Sequence, residues 1–131
     1  MKRVTGIGGV FFKSQDPDKL RSWYQEHLGL EPDTYGGVSF EWREADQPDR
    51  VGQTIWSLFP ADTKYFEPSQ APFMINYRVE NLDRVLSELR KEGVKVDDNV
   101  AEYDFGRFGW VMDPEGNRIE LWEPLEHENK S

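Results

Sequence analysis

Cysteine is absent from this 131-residue chain, and histidine is scarce, with two residues. Without cysteine the chain can form no disulfide, thiolate nucleophile or thiolate metal site. His27 falls late in a predicted helix, and His127 falls in a polar tail, so we expect neither imidazole to reach a cleft between strands. A Ser-His-Asp triad is therefore not expected.

Positive charge and long apolar runs are also lacking. The chain has 16 lysines and arginines against 25 aspartates and glutamates, which gives a net charge of −9. A basic footprint for nucleic acid is therefore not expected, and an anionic membrane would repel the chain. No apolar stretch has the length of a membrane span or a signal peptide. We predict a soluble cytoplasmic protein, whose acidity serves solubility or favours a cationic partner.

Aromatic residues, by contrast, make up 14% of the chain and include five tryptophans. A length of 131 residues suits one domain. Because large aromatic side chains are common in small-molecule sites, we expect some of the tryptophans to line a cavity rather than fill a core.

The segment from Gly106 to Pro124 reads GRFGWVMDPEGNRIELWEP and predicts two strands joined by a tight turn at residues 113–117. Pro114 suits the first corner of that turn, and Gly116 suits a positive φ. Alternation along the second strand then sends three side chains to one face: Arg118, Glu120 and Trp122. Burying a carboxylate is costly without a purpose, so this face is a candidate binding surface.

The chain passes twice through one order of elements. In module one, about 1–60, we predict a strand at 4–13, a helix from the cap at Asp16 to Gly29, and strands within 38–42 and 52–59. A polar linker follows at 61–71. In module two, about 72–124, we predict a strand at 72–79, a helix from Asn81 to Gly93, and strands at 94–96, 108–112 and 117–122. Residues 125–131 form a tail.

This order, together with the run DPEGNRIEL at 113–121, resembles the vicinal oxygen chelate superfamily of glyoxalases, bleomycin resistance proteins and extradiol dioxygenases. The resemblance covers about Val4 to Pro124. It implies an α+β fold in which two βαβββ modules form an open, curled mixed-sheet barrel, with helices outside and a cleft inside. It also implies a homodimer, since members commonly complete or flank their clefts across a two-fold interface.

Strand alternation fits that fold. The side chains expected under the helices are apolar or aromatic, as a helix-covered face requires. Those expected in the cleft mix polar and aromatic groups: Gly9, Phe11, Ile55, Ser57, Phe59, Met74, Asn76, Arg78, Arg118, Glu120 and Trp122.

The resemblance places the four metal-ligand positions of the family at Gly9, Ser57, Met74 and Glu120. Glycine has no side chain, a neutral serine is a poor ligand, and a thioether is too soft for the metals of this family. One carboxylate is not enough for a metal site. We therefore predict no metal and no other cofactor.

Glu120 is the tentative catalytic residue, with three roles left open. It could be a general base, a binder for a cationic group, or a carboxylate paired with Arg118 or Arg78. The predicted ligand-binding residues are Phe11, Ser57, Met74, Asn76, Arg107, Trp110, Arg118 and Trp122. Asn76 could orient a substrate carbonyl or bond the backbone. Residues 102–110 could form a mobile lip or an edge strand with a bulge at Gly106.

Two functional hypotheses follow. The favoured one is a metal-free protein, similar to the bleomycin-resistance branch, that binds a small and partly aromatic molecule, for which a cationic one would suit the acidity. The alternative is a superfamily enzyme of the isomerase or lyase class that uses Glu120 as base or residual metal ligand. The sequence leaves open whether the protein is an enzyme.

Overall fold

The computed structural model describes residues 3–125, which form two helices and eight strands. The first half contains β1 (Val4–Ser14), α1 (Pro17–Leu28), β2 (Val38–Arg43) and β3 (Val51–Pro60). The second half contains β4 (Phe73–Val79), α2 (Leu82–Lys91), β5 (Lys95–Val96), β6 (Ala101–Tyr103), β7 (Gly106–Met112) and β8 (Arg118–Pro124). The predicted tail beyond Leu125, with His127, lies outside the described residues.

Both helices begin and end where the sequence predicts. Asp16 caps α1 by accepting from the backbone N–H of Lys19, and Asn81 caps α2 in the same way. Glycines follow both helices in the left-handed region, Gly29 at φ 71° and Gly93 at φ 83°. These residues end the helices because glycine has no Cβ to clash in that conformation.

All eight strands belong to one mixed sheet, in the order β2-β3-β1-β4-β8-β7-β5, with β6 paired to β7. The pairs β1–β3 and β4–β8 are parallel, and the antiparallel pair β1–β4 joins the two halves at the centre. In the described part of the chain β2 and β5 end this order, so the sheet curls without closing. The α+β prediction is confirmed, although α1 is followed by two strands and α2 by four.

The two faces of the sheet carry different side chains. On the helix side, α2 packs onto a core that includes Val79, Val111 and Leu121. Under α1, Phe12 and Trp56 contact Tyr24 edge to face. The alternation predicted for the helix side is confirmed at Phe12, Trp56, Val79 and Leu121, and the opposite side of the sheet forms the cleft. Neither of the described helices is long and apolar enough to cross a membrane.

Candidate functional site

A cavity of about 230 Å³ lies on the cleft side of the sheet. Its wall is mostly aromatic and is formed by Gly8, Phe11, Ile55, Phe59, Tyr65, Asn76, Tyr103, Phe105, Phe108, Glu120 and Trp122. These residues come from both halves and from the segment between them. Strands far apart in the sheet order, such as β3 and β7, meet here because the sheet curls.

Glu120 is the charged group of this cavity, and it is 2% exposed. It accepts hydrogen bonds from Asn76 Nδ2 at 2.6 Å, from Trp110 Nε1 at 2.9 Å and from the hydroxyl of Tyr65. The sheet places two of these donors, because Asn76 on β4 and Trp110 on β7 are the register partners of Glu120 on β8. Three neutral donors therefore compensate for the lost hydration of the carboxylate.

Tyr65 reaches this carboxylate from the segment between the halves. Burial, and then the charge of Glu120, raise the pKa of Tyr65 well above its usual value of 10.0. The phenol therefore stays protonated at neutral pH and donates to Glu120. Its ring stacks on Phe59, with centroids 5.6 Å apart.

Asn76 is 1% exposed, and its amide nitrogen is directed at Glu120. Within the described residues its Oδ1 atom has no hydrogen-bond partner. The oxygen lies over Gly8, where a Cβ atom would come within 2.2 Å of it. Gly8 sits at an irregularity in the pairing of β1 with β4, between Ile7 and Gly9. A residue without a side chain is therefore needed here to make room for the amide.

Several predicted site residues meet at this cavity. The predicted residues that line it are Phe11, Asn76, Glu120 and Trp122. Three others lie close by but are not described lining residues, namely Trp110, Met74 and Arg118. Trp110 is buried against Glu120, and Met74 is fully buried among the aromatic side chains of the cleft. The guanidinium of Arg118 lies over the Trp110 ring at 5.0 Å and donates to the carbonyl of Tyr65.

Two other predicted residues lie elsewhere. Arg107 donates to Asp83 at 3.0 Å and to Glu102 at 2.9 Å, and it is not among the described residues that line the cavity. Ser57 pairs with Phe11 in the sheet and is likewise not a described lining residue. Asn76 was expected to orient a substrate carbonyl or to bond the backbone. In the structure its amide nitrogen donates to the side chain of Glu120.

The segment expected to be a mobile lip or an edge strand forms the β6–β7 hairpin, in which β6 pairs with β7. Tyr103 and Phe105 are each 56% exposed, stack on one another at 5.4 Å and line the cavity. Trp122 ties the hairpin to β8 by donating to the Phe105 carbonyl at 2.9 Å. The alternative of a bulge at Gly106 is wrong, because Gly106 begins β7 and the pairing of β7 with β6 and β8 shows no register shift. Gly106 instead allows β7 to pass close to β8, since a Cβ at this residue would lie 2.4 Å from the Glu123 carbonyl oxygen.

Sequence reasoning missed four aromatic residues of the cleft: Tyr65, Phe66, Phe105 and Phe108. Phe66 is 0% exposed and packs with Met74 and Phe59. The sequence feature that could have identified two of them is the adjacent pair Tyr65-Phe66 in a segment that is otherwise polar. Adjacent aromatics there indicate a segment that folds back onto the domain instead of a free linker.

The residues present do not fit a divalent metal. Beside Glu120, Gly8 and Ile55 offer no ligand atom, and both oxygens of Glu120 already accept hydrogen bonds. The β4 residue paired with Glu120 is Asn76, and the described residues contain no group of three or more histidine, aspartate or glutamate side chains that could hold an ion. Within the described part of this site, Asn76 Oδ1 and Glu120 Oε1 are the two oxygens that could still bind an ion, which is fewer than the three or four ligands of a metal site.

Comparison with known proteins agrees with this architecture. A model of the Glyoxalase/Bleomycin resistance protein/Dioxygenase superfamily matches residues 6–121. Methylmalonyl-CoA epimerase from Mycobacterium tuberculosis has a similar structure, with a TM-score of 0.61 and 22% identity over 97% of this chain and 93% of that one. No curated protein sequence matches the chain.

Two further structures are similar. A variant of Streptomyces coelicolor methylmalonyl-CoA epimerase in complex with 2-nitronate-propionyl-CoA has a TM-score of 0.64 and 17% identity, over 91% of this chain and 96% of that one. A glyoxalase/bleomycin resistance protein/dioxygenase superfamily member from Vibrio splendidus 12B01 has a TM-score of 0.54 and 10% identity, over 88% of this chain and 96% of that one. At these identities the likeness concerns the fold.

Proposed function

The chain belongs to the glyoxalase/bleomycin resistance protein/dioxygenase superfamily, and we propose that it binds a small, partly aromatic molecule in its cleft without a metal. The observation that carries the proposal is the cavity itself, an aromatic wall around one buried carboxylate. Binding pockets in proteins are mostly apolar, with a few polar groups that fix orientation. The cavity of Glu120 has this composition.

The size of the cavity supports a small ligand. Pockets for drug-sized ligands span roughly 300–1,000 Å³, and a volume of about 230 Å³ lies just below that range. The exposed hairpin residues Tyr103 and Phe105 form one side of the entrance, so a ligand of one or two rings could enter past them.

The test follows the indole N–H signals by NMR while a neutral aromatic probe, toluene or benzyl alcohol, is added. Trp122 lines the cavity and Trp110 bonds Glu120, so their signals should shift. Trp23, half exposed on α1, is the internal control and should not shift. The shifts should be unchanged when a chelator is added. Signals that stay still up to millimolar probe, or that respond only after a divalent metal is supplied, would refute the proposal.

The enzymatic alternative rests on Glu120 lining the cavity, where a base would have to be. A carboxylate has about four lone-pair directions, and three are taken by Tyr65, Asn76 and Trp110. Proton abstraction would have to use the remaining one, which makes binding the better-supported function. Turnover of a bound compound that is lost in Glu120→Gln and survives chelation would support the enzyme instead.

We also propose that two copies of the chain associate. Large apolar side chains are exposed on the first half, among them Trp23 at 49%, Leu28 at 60% and Phe40 at 44%. Exposed apolar surface favours association when it is contiguous. Light scattering should report the mass of a dimer at micromolar concentration, and the mass of a monomer would contradict this.

The cytoplasmic location stays a prediction.

A further inference from the structure

Two oxygen atoms in the cavity keep unused capacity to accept hydrogen bonds. Asn76 Oδ1 is buried and has no partner within the described residues. On Glu120, Oε2 accepts from both Tyr65 and Trp110, whereas Oε1 accepts from Asn76. Since a carboxylate oxygen offers about two lone-pair directions, one direction remains on Oε1.

The orientation of the Asn76 amide is determined by its neighbour. The nitrogen must face Glu120, because the reversed amide would bring its oxygen against a carboxylate oxygen and lose a bond of 2.6 Å. The carbonyl oxygen is therefore directed away from Glu120, towards Gly8. Both Gly8 and Asn76 line the cavity, so this unpaired acceptor belongs to the cavity.

Three donors in the interior of the cavity, in contrast, are engaged inside the protein, and a further donor, the hydroxyl of Tyr103, lies at the exposed entrance. The hydroxyl of Tyr65 and the indole of Trp110 donate to Glu120, and the indole of Trp122 donates to the Phe105 carbonyl. The described lining residues include no lysine or arginine. A ligand carboxylate or phosphate would therefore meet oxygen atoms, whereas a ligand N–H group would meet acceptors.

We propose that Asn76 Oδ1 and Glu120 Oε1 make this cavity selective for aromatic ligands that carry N–H donors, in particular a primary ammonium group. The inference rests on the proposed function and specifies its ligand class. An ammonium group has three donors, and a charge-assisted bond to a carboxylate is stronger than one between neutral groups. The aromatic wall adds attraction for a cation. Gly8 is the positioning residue that leaves room for the acceptor.

The experiment compares one-ring probes by calorimetry and by the indole N–H signals of Trp110 and Trp122. Benzylammonium should bind about tenfold or more tightly than toluene, which is the effect of one good hydrogen bond, and benzoate should bind most weakly. Benzyltrimethylammonium keeps the ring and the charge but has no N–H group. It should also bind at least about tenfold more weakly than benzylammonium.

Gly8→Ala tests the positioning, since its Cβ would lie 2.2 Å from Asn76 Oδ1. This variant should lose the preference for benzylammonium over benzyltrimethylammonium. Gly37→Ala is the matched control, because its Cβ would make contacts of 3.4 Å and longer, and it should keep the preference. If Gly8→Ala does not fold, the comparison of the two cations in the wild-type protein still decides.

The outcomes separate this inference from the proposed function. Equal binding of benzylammonium and benzyltrimethylammonium would overturn donor selection and leave aromatic binding intact. Benzoate that binds as tightly as benzylammonium would do the same. If no probe, neutral or charged, moves the two indole signals, the proposed function fails and this inference fails with it.

Discussion

The two halves of the molecule both begin with a strand, a capped helix and further strands, yet they bury their helices differently. Helix α2 buries Leu82, Val85 and Leu86 against the sheet, whereas none of the described residues of α1 is buried. On α1, Leu28 is 60% exposed, and the contact with the sheet is made through Tyr24. A repeated order of elements therefore does not imply a repeated core.

The halves also contribute differently to the cavity. The first half supplies the lining residues Gly8, Phe11, Ile55 and Phe59, and the second half supplies both Asn76 and Glu120. In the repeat, Ser57 on β3 occupies the place that Glu120 has on β8, since Ser57 pairs with Phe11 on the parallel strand β1 as Glu120 pairs with Asn76 on the parallel strand β4. The comparison teaches that a duplicated framework can keep its geometry while core packing and polar chemistry are concentrated in one copy.

The largest expected effect contrasts the helices. Leu86→Ala should lower the free energy of unfolding by about 2–5 kcal/mol, because it leaves a cavity in the core under α2. Leu28→Ala on α1 should cost less than about 0.5 kcal/mol, since that side chain is exposed. Urea denaturation measures both. Similar losses in the two variants would contradict the asymmetry.

The next effect contrasts the equivalent residues Glu120 and Ser57. The carboxylate of Glu120 is 2% exposed and accepts from three donors, so Glu120→Gln should affect folding. A glutamine amide would set one N–H group against another donor, which should cost about 1–3 kcal/mol. Ser57→Ala is the control and should change stability by about 0.5 kcal/mol or less. Thermal melting that is unchanged in Glu120→Gln would show that these hydrogen bonds matter little.

A third test concerns what the halves share. Gly29 and Gly93 follow the two helices with φ of 71° and 83°, and neither would place a Cβ within 4 Å of another group. Gly29→Ala and Gly93→Ala should therefore each cost about 1–2 kcal/mol, the penalty of the left-handed conformation alone. Guanidinium denaturation should give equal losses. A much smaller loss of stability in Gly29→Ala than in Gly93→Ala would show that the two halves also differ at the ends of their helices.

The smallest effect concerns the segment between the halves. Tyr65→Phe removes one hydrogen bond to Glu120 and should cost about 0.5–1.5 kcal/mol at pH 7. The pKa of Tyr65 is raised in the folded protein above its usual 10.0, so the stability from its protonated phenol is complete below pH 10 and is lost above it. The difference between wild type and variant should stay constant from pH 7 to about 9 and shrink above 10. A stability difference that grows with pH would contradict a raised pKa of Tyr65 in the folded protein.

Much of the framework could be predicted from the sequence because it depends on local chemistry. Asp16 and Asn81 mark helix starts, Gly29 and Gly93 mark helix ends, and the turn at 113–117 closes as expected, with the N–H of Asp113 donating to the Asn117 carbonyl. Strand alternation also placed Phe11, Asn76 and Glu120 on the cleft side, where they line the cavity. On β1, however, Gly8 lines the cavity in place of the predicted Gly9, at the irregularity in the pairing of β1 with β4.

The site was harder to predict because it depends on contacts between distant segments. The resemblance to the family placed Met74 at a ligand position, whereas the parallel register of β4 with β8 sets Asn76 beside Glu120. Arg107 lies on a cleft strand but finds Asp83 on α2 as its partner. Tyr65 and Glu120 are 55 positions apart in the sequence, and no local pattern reports such a contact.

The inward position of Tyr65 and Phe66 has a consequence for separating the two halves. These side chains belong to the connecting segment and also form part of the cleft, so the segment holds the two halves together. Cutting the chain there would not release two independent modules. Two fragments divided near residue 62 should reassemble, with Tyr65 and Phe66 of the second fragment packing against the first. A ligand in the cleft should tighten that reassembly, since it touches both pieces at once.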